Sequence, residues 1–255
     1  MRTRAVLLSQ TQTRQTARKS LAVSFARRES EVREAQRLRY KIFAEEMGAK
    51  LTGRERGLDQ DMFDAHCEHL LVRDTQSNEV VGTYRILNST QAKKTGGFYS
   101  DDEFDLTRLD PLRNGMVEVG RSCVHPDYRS GRTIALLWRG LTTYMERYRY
   151  QYLVGCASIT MSDGGHVAAS VYNKIKQGSL SPNEYRVFPH CGLPLDALNG
   201  NLPAPIPPLL KGYLRLGAYV CGAPAWDSDF NTADLLILLP MYRINPLYAK
   251  HLFRK

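Results

Sequence analysis

Two charged residues interrupt an apolar run at residues 116–124, MVEVGRSCV. Residues three apart on a regular strand face opposite sides of a sheet, so Glu118 and Arg121 should not meet. Gly120 lies between them, and a glycine within a strand is typical of a β-bulge, whose extra residue brings both side chains to one face. There a carboxylate can accept a proton from an attacking amine, and a backbone N–H freed by the bulge can stabilise an oxyanion. We therefore predict that Glu118 and Arg121 are catalytic residues of an acyl transfer; a satisfied ion pair inside the sheet is the alternative.

A second candidate site follows directly downstream, where the turn RSGRT precedes an apolar helical segment. The first N–H groups of a helix lie at the positive end of its dipole and bind phosphate readily. The sequence thus predicts that this turn holds the phosphate of an acyl donor, through Arg129, Ser130, Gly131, Arg132 and Thr133. A single glycine turn is a weak signal, and a solvated helix face is the alternative for the arginines nearby.

The hydrophobic pattern predicts a mixed α/β fold around these two sites. Helical and strand periodicities alternate, in the order helix, hairpin, strand, helix, buried strand and helix. The predicted segments are a helix over 29–48, strands over 67–74, 79–89 and 116–124, a helix over 133–150, a strand over 152–159, a helix over 165–177 and a strand over 233–241. This order indicates a mixed sheet covered by helices.

Positive charge is concentrated at the N-terminus. Residues 1–28 contain seven Lys and Arg residues and no acid, which leaves 28 of the 35 basic residues against all 26 acidic residues. We predict a flexible basic arm over 1–28 and a single domain over 29–255. The arm could contact an anionic membrane surface, whereas a solvated tail and a transit peptide are the alternatives. Because the rest of the chain is nearly neutral, we expect no nucleic-acid partner.

The composition indicates a globular cytoplasmic protein without a metal. No run reaches the roughly 18 apolar residues of a membrane span, and no signal-peptide core is present. The five cysteines are scattered, without CxxC spacing, and the histidines show no ligand spacing. Peripheral attachment to the inner face of the membrane is the expected form of any membrane contact.

Six segments in this order and spacing resemble the ornithine N-alpha-acyltransferases of ornithine-lipid synthesis, within the Gcn5-related N-acetyltransferase (GNAT) superfamily. The segments are LRYKIFAEEMG, LDQDMFDAHCEHLLV, VVGTYRIL, GGFYSDDEFDL, MVEVGRSCVHPDYRSG and YLVGCAS, and the match spans about residues 30–250. They are more distantly similar to acyl-homoserine-lactone synthases. The resemblance implies a central mixed, largely antiparallel sheet flanked by helices, and an enzyme that moves a 3-hydroxy fatty acyl group from acyl carrier protein to the α-amine of L-ornithine. The product would be lyso-ornithine lipid.

The resemblance also implies substrate-binding residues, namely Arg39, Phe43, Asp61, Asp64 and Arg85. Ornithine carries a carboxylate and a second ammonium, which call for an arginine and an acid. Arg85 or Arg121 is the candidate for the carboxylate, and Asp61 or Asp64 for the ammonium. The two aspartates could instead brace the loop after the first helix, with Arg39 as their structural partner.

The donor loop departs from the superfamily's coenzyme A pattern, because residues 128–133, YRSGRT, keep only its central glycine. A phosphopantetheine arm has one phosphate and needs fewer donors, so we expect acyl carrier protein as the donor and no permanently bound cofactor. Nearby arginines favour docking of an acidic carrier protein. Two alternatives stay open: an N-acyltransferase or lactone synthase acting on another acceptor, and a non-catalytic carrier-protein or lipid-surface binding module. A buried Glu118 would favour the enzyme.

Overall fold

A computed structural model describes residues 20–51, 53 and 55–245 of the chain. The strands are β1 Leu21–Phe25, β2 Glu68–Asp74, β3 Val80–Asn88, β4 Phe104–Asp105, β5 Met116–Val124, β6 Tyr152–Thr160, β7 Phe188–Pro189, β8 Tyr219–Val220, β9 Ala225–Asp227 and β10 Thr232–Pro240. The helices are α1 Glu29–Tyr40, α2 Ser89–Ala92, α3 Gly131–Tyr148, α4 His166–Ile175 and α5 Pro208–Leu216. A π-helical turn, Lys41–Glu46, continues α1.

Eight strands form one sheet, in the order β1, β2, β3, β5, β6, β10, β8, with β9 paired to β10. Every pair in this sheet is antiparallel except β5 with β6. Strands β4 and β7 form a separate two-stranded sheet. The predicted fold class, a mixed and largely antiparallel sheet flanked by helices, is confirmed.

The sheet is buried on both faces. Along β10, Leu235, Ile237 and Leu239 belong to one hydrophobic cluster, whereas Leu236 and Leu238 belong to another. This alternation follows the two-residue period of a strand. The first cluster includes buried residues of α3, α4 and α5. A continuous apolar run such as LLILLP in the sequence is the expected pattern for a strand covered on both sides.

The N-terminal boundary of the domain differs from the prediction. Leu21–Phe25 is not part of an arm, because it forms the edge strand β1 and pairs with β2 from Leu21 opposite Asp74 to Phe25 opposite Leu70. Leu21, Val23 and Phe25 pack against the main hydrophobic cluster. The arm predicted for 1–28 is therefore wrong from residue 21 onward, and residues 1–19 lie outside the described part of the chain.

The predicted end of the first helix is confirmed. Gly48 has φ of 77°, a left-handed conformation that glycine adopts readily, and it follows the π-helical turn. No helix in the described part of the chain is long and apolar enough to cross a membrane.

Candidate active site

The predicted bulge is present in β5. Arg85 of β3 lies opposite Gly120, and the register resumes with Thr83 opposite Cys123, so two residues of β5 face one residue of β3. The left-handed backbone falls on Arg121, with φ of 51°, and not on Gly120. The bulge thus re-aims the strand at the point where the charged residues lie, as such irregularities often do near active sites.

Strands β5 and β6 separate directly after the candidate base. They pair only over Met116–Glu118 with Tyr152–Val154. A Cβ atom added to Gly155 would lie 2.2 Å from the carbonyl oxygen of Val119, so glycine is required where β6 leaves β5. A cavity of about 680 Å³ lies against the diverging parts of both strands.

The cavity has a charged part and an apolar part. Its charged lining residues are Arg85, Glu118, Arg121, Arg129, Asp227 and Asp234. Apolar side chains come from α3 and α5, with Ile134 and Trp138 on the former and Pro208 and Leu209 on the latter. Arg129, Ser130 and Gly131 also line the cavity, so it reaches the N-terminus of α3.

Glu118 holds the loop that closes one side of the cavity. Its Oε2 accepts a hydrogen bond from the backbone N–H of Tyr99 at 2.6 Å, and its Oε1 accepts from the N–H and the hydroxyl of Ser100 at 2.8 and 2.5 Å. Glu118 is 5% exposed, and burial raises its pKa, although these hydrogen bonds act in the opposite direction. A carboxylate offers roughly four acceptor positions, so three donors leave about one for a substrate or water.

Arginine and aspartate side chains form a balanced buried network beside the cavity. Arg39 pairs with Asp59 at 2.7 Å and with Asp64 at 2.9 Å. Arg85 pairs with Asp61 at 2.6 Å and with Asp64 at 3.0 Å. The network, defined here as Arg39, Asp59, Asp61, Asp64, Arg85 and Arg121, contains three cations and three anions. The two arginines beside Asp64 hold its pKa well below the usual range despite burial.

Arg121 joins the balanced network to the cavity. Its guanidinium lies between the rings of Tyr99 and Phe230, 4.9 and 4.6 Å from their centroids. It also pairs with Asp59 at 3.3 Å and with Asp61 at 3.2 Å. These contacts fix the orientation of a cation whose side chain remains 12% exposed.

The predicted site residues divide into two groups. Those that line the cavity are Phe43, Arg85, Glu118, Arg121, Arg129, Ser130 and Gly131. The remaining predicted residues are absent from that lining: Arg39, Asp61, Asp64, Arg132 and Thr133. Thr133 is fully buried and donates its hydroxyl hydrogen to the carbonyl of Tyr128 at 2.7 Å, which closes the turn before α3.

Three residues at or next to the cavity were not predicted as site residues from the sequence. Asp234 lies in β10, is 4% exposed and lines the cavity, and its carboxylate accepts a hydrogen bond from the Thr232 hydroxyl at 2.9 Å. The Cys156 thiol donates to Glu103 Oε2 at 3.3 Å, and one ligand atom each of Glu103, Cys156 and Asp234 lie within 4.8 Å of one another. The sequence signal was an aspartate at the start of an otherwise apolar strand.

The charges of Glu103 and Asp234 are less well compensated than those of the balanced network, although the charge of Arg121 acts on Asp234. Among the described residues, neither Glu103 nor Asp234 forms a salt bridge, and the Glu103 Oε1 atom is buried without a hydrogen-bond partner. Burial and the charge of Asp234 raise the pKa of Glu103 to about 9, and burial raises the pKa of Asp234 to about 6. With Cys156, this acid pair is the described group that could hold a cation, either a metal ion or an ammonium.

The thiols facing the cavity are poor nucleophiles. Burial raises the pKa of Cys123 to about 12 and that of Cys156 well above its usual value. Since the thiolate is the reactive form, this environment disfavours a covalent cysteine intermediate.

Comparison with known proteins first defines the class. Residues 38–139, which include the π-helical turn, the β5 bulge and the start of α3, match the acetyltransferase (GNAT) domain family. The AHL synthase LasI shares the fold, with a TM-score of 0.54 at 13% identity over 92% of this chain and 95% of that one.

Relatives with much higher sequence identity define the family. The L-ornithine N(alpha)-acyltransferase of Brucella abortus is 38% identical, over 91% of this chain and 88% of its own length. The protein of that name from Agrobacterium fabrum is 36% identical, over 91% and 85%. The chain belongs to the family of L-ornithine N(alpha)-acyltransferases.

Proposed function

We propose that the protein transfers a fatty acyl group from the phosphopantetheine arm of acyl carrier protein to the α-amine of L-ornithine, which gives lyso-ornithine lipid. The observation that carries this proposal is one cavity in which Glu118, the β5 bulge and the N-terminus of α3 meet. Family membership supports ornithine as the acceptor, since the relatives named above are L-ornithine N(alpha)-acyltransferases.

The donor enters at the N-terminus of α3. The single phosphate of its arm lies on the backbone N–H groups that begin this 18-residue helix, next to Ser130 and Gly131. A Cβ atom added at Gly131 would meet nothing within 4 Å, so the arm can approach the backbone closely. The arm then passes between β5 and β6, where the two strands are no longer paired.

Glu118 removes the proton that an α-amine carries at neutral pH, directly or through a water. The neutral nitrogen attacks the thioester carbonyl and an N–C bond forms. The C–S bond then breaks, and the surplus proton on the nitrogen passes to the carrier thiolate, which leaves as the thiol. A backbone N–H in the Arg121–Ser122 bulge stabilises the oxyanion of the tetrahedral intermediate. The raised pKa of Glu118 suits this role, because a base works best when its pKa lies near the working pH.

The acceptor lies between the arginine and the unpaired acids. Its carboxylate binds Arg121, whose planar guanidinium can form two parallel hydrogen bonds. Its side-chain ammonium binds Asp234, with Glu103 behind, because Asp61 and Asp64 are committed to arginines and do not line the cavity. This changes our sequence-based assignment of the ammonium. It also accounts for acylation at the α-amine, since the other amine stays protonated beside the acids.

The first experiment compares donors. Purified protein is incubated with ornithine and either a 3-hydroxyacyl carrier protein or the matching acyl-CoA, and products are identified by mass spectrometry. We expect an Nα-acyl product and a higher kcat/KM for the carrier protein. Arg132→Glu should raise the donor KM, more steeply at low salt, because the charge effect is screened by ions.

Arg147→Glu provides the matched control. It reverses the same charge on α3, but near the opposite end of the 18-residue helix. Equal use of both donors, or equal effects of the two reversals, would contradict docking of a carrier protein at this end of α3.

Membrane attachment is proposed to be peripheral and electrostatic. Each basic residue near an anionic leaflet contributes about 1 kcal/mol, and residues 1–19 carry five Lys and Arg residues. Protein lacking residues 1–19 should bind anionic vesicles less tightly at low salt than the full chain does, with unchanged turnover of soluble substrates. If the truncated protein and the full chain bound vesicles equally, residues 1–19 would have no role in membrane attachment. The truncation stops before β1, because removal of residues 1–28 would delete a strand of the sheet.

A further inference from the structure

One side of α5 faces the apolar part of the cavity. Pro208, Leu209 and Gly212 of this helix line the cavity, and Gly212 lies four residues after Pro208 and three after Leu209, so it shares a helix face with both. Helix α3 contributes Ile134 and Trp138, which are four residues apart, to the same lining. The part of the cavity lined by the two helices is therefore mainly apolar.

An aromatic wall, formed by Trp138 and Tyr84, is part of the lining of this space. Trp138 lies roughly 10 Å along α3 from Gly131, given the rise of an α-helix. Its ring packs on Tyr213 of α5 with centroids 4.6 Å apart, and the Tyr213 hydroxyl is hydrogen-bonded to that of Tyr84. All three aromatic residues are buried. The cavity thus extends along α3 from Gly131 to Trp138, which contacts α5 through Tyr213.

Gly212 is half-buried, lines the cavity and directly precedes Tyr213 in the chain. It is in the interior of α5, where glycine is a poor helix former, yet it has neither a positive φ nor a close backbone neighbour to require it. A Cβ atom added there would meet nothing within 4 Å. Because Gly212 itself lines the cavity, a larger side chain at this position would narrow the cavity on the α5 side.

We propose that Gly212 sets the length of the acyl chain that the protein accepts. Without a side chain at this position, the last methylenes of the chain can occupy the space between α5 and the aromatic wall. The inference rests on the proposed function, in which this cavity holds the acyl group of the donor.

The test uses Gly212→Ala, Gly212→Leu and a series of acyl carrier protein donors of increasing chain length. Each methylene that is excluded from apolar burial should lower kcat/KM roughly four-fold. We expect Gly212→Leu to lower kcat/KM for the longest wild-type donor at least roughly 10-fold and to leave the shortest donor unchanged. Gly212→Ala should give a smaller shift in the same direction. Alanine and leucine are both better helix formers than glycine, so neither substitution should weaken α5 through helix propensity.

Gly178→Leu is the matched control. A Cβ atom there also meets nothing within 4 Å, but Gly178 is exposed and does not line the cavity. Its donor-length profile should equal that of the wild type. The inference is overturned if the profile of Gly212→Leu is also unchanged, or if that variant loses all chain lengths equally. A wild-type protein that acylates ornithine with none of the donors would instead overturn the proposed function.

Discussion

Two groups of buried and half-buried carboxylates in this protein differ in their partners. In the balanced network, Asp59, Asp61 and Asp64 are matched by three arginines at distances of 2.6 to 3.3 Å. In the acid pair, Glu103 and Asp234 have a thiol and hydroxyls as neighbours but no salt bridge among the described residues. The first group is charge-balanced by salt bridges, and the second has none in the described part of the chain.

The pKa of Asp64, in the first group, and the pKa values of the acid pair are shifted in opposite directions. The pKa of Asp64 is lowered because Arg39 and Arg85 outweigh the cost of burial, whereas that of Asp234 is raised to about 6 because burial dominates. A buried carboxylate is stable in its charged form only when a cation is near. The comparison therefore separates acids that are paired within the fold from acids that form no salt bridge with a described residue, for which we propose the ammonium of the substrate as partner.

The largest expected effect is the loss of catalytic rate when Glu118 is replaced. This residue accepts hydrogen bonds from Tyr99 and Ser100. Glu118→Gln should lower kcat roughly 10²- to 10⁴-fold, because the amide cannot accept the proton. The wild-type rate should fall as pH decreases through the raised pKa of Glu118, since only the deprotonated form is a base. The measurement is kcat/KM against pH.

This variant should also lose thermal stability. An amide offers one oxygen and an NH₂ group to three donors from Tyr99 and Ser100, so at least one donor loses its acceptor. Unchanged turnover in a folded variant would remove Glu118 from the role of base.

The next largest effect is the loss of stability expected when the balanced network is broken. Arg39→Met removes the fully buried cation that pairs with Asp59 and Asp64, and leaves their charges without it. Breaking a buried ion pair in this way costs about 3–5 kcal/mol in the free energy of unfolding. Urea denaturation monitored by circular dichroism gives the value. A loss below about 1 kcal/mol would show that the network does not brace the fold.

Local features were predictable from the sequence, and distant pairings were not. The bulge could be predicted because Gly120 and its two charged neighbours lie within four consecutive residues of one strand. Strand β1 was missed because its partner β2 is more than 40 residues away and the surrounding composition is basic. Only the folded register reveals such an edge strand.

The acid pair was missed for a related reason. Glu103 precedes β4, and Asp234 belongs to β10, so they meet only because β10 pairs with β6 and places Asp234 near Cys156. Asp61 and Asp64 were identified by resemblance, but their role depends on which arginines reach them. Ion-pair partners of this kind are set by tertiary packing.

A smaller effect tests the acid pair. Asp234→Asn should raise the KM for ornithine roughly 10- to 100-fold, as expected for loss of a hydrogen bond between charged groups. The KM for 2-aminopentanoate, which lacks the second amine, should change little. Asp229→Asn is the matched control, because it removes the same charge from an exposed position near β10. Equal changes for both acceptors would contradict recognition of the ammonium by Asp234, and a requirement for a chelatable metal would assign the pair to a metal ion.

The smallest loss of stability is expected when the surface ion pair of Arg33 and Glu55 is broken. This pair tests whether the short distance of an ion pair or its burial determines how much it stabilises the fold. Its N–O distance is 2.6 Å, the same as that between Arg85 and Asp61, but its side chains are 32% and 52% exposed and not 5% and 19%. Water screens an exposed pair, so Arg33→Met should cost less than about 1 kcal/mol in the free energy of unfolding, and salt should reduce this cost further. The measurement is the same urea titration at low and high salt. A loss as large as that of Arg39→Met would mean that contact distance alone decides the energy, and the contrast between exposed and buried pairs would fail.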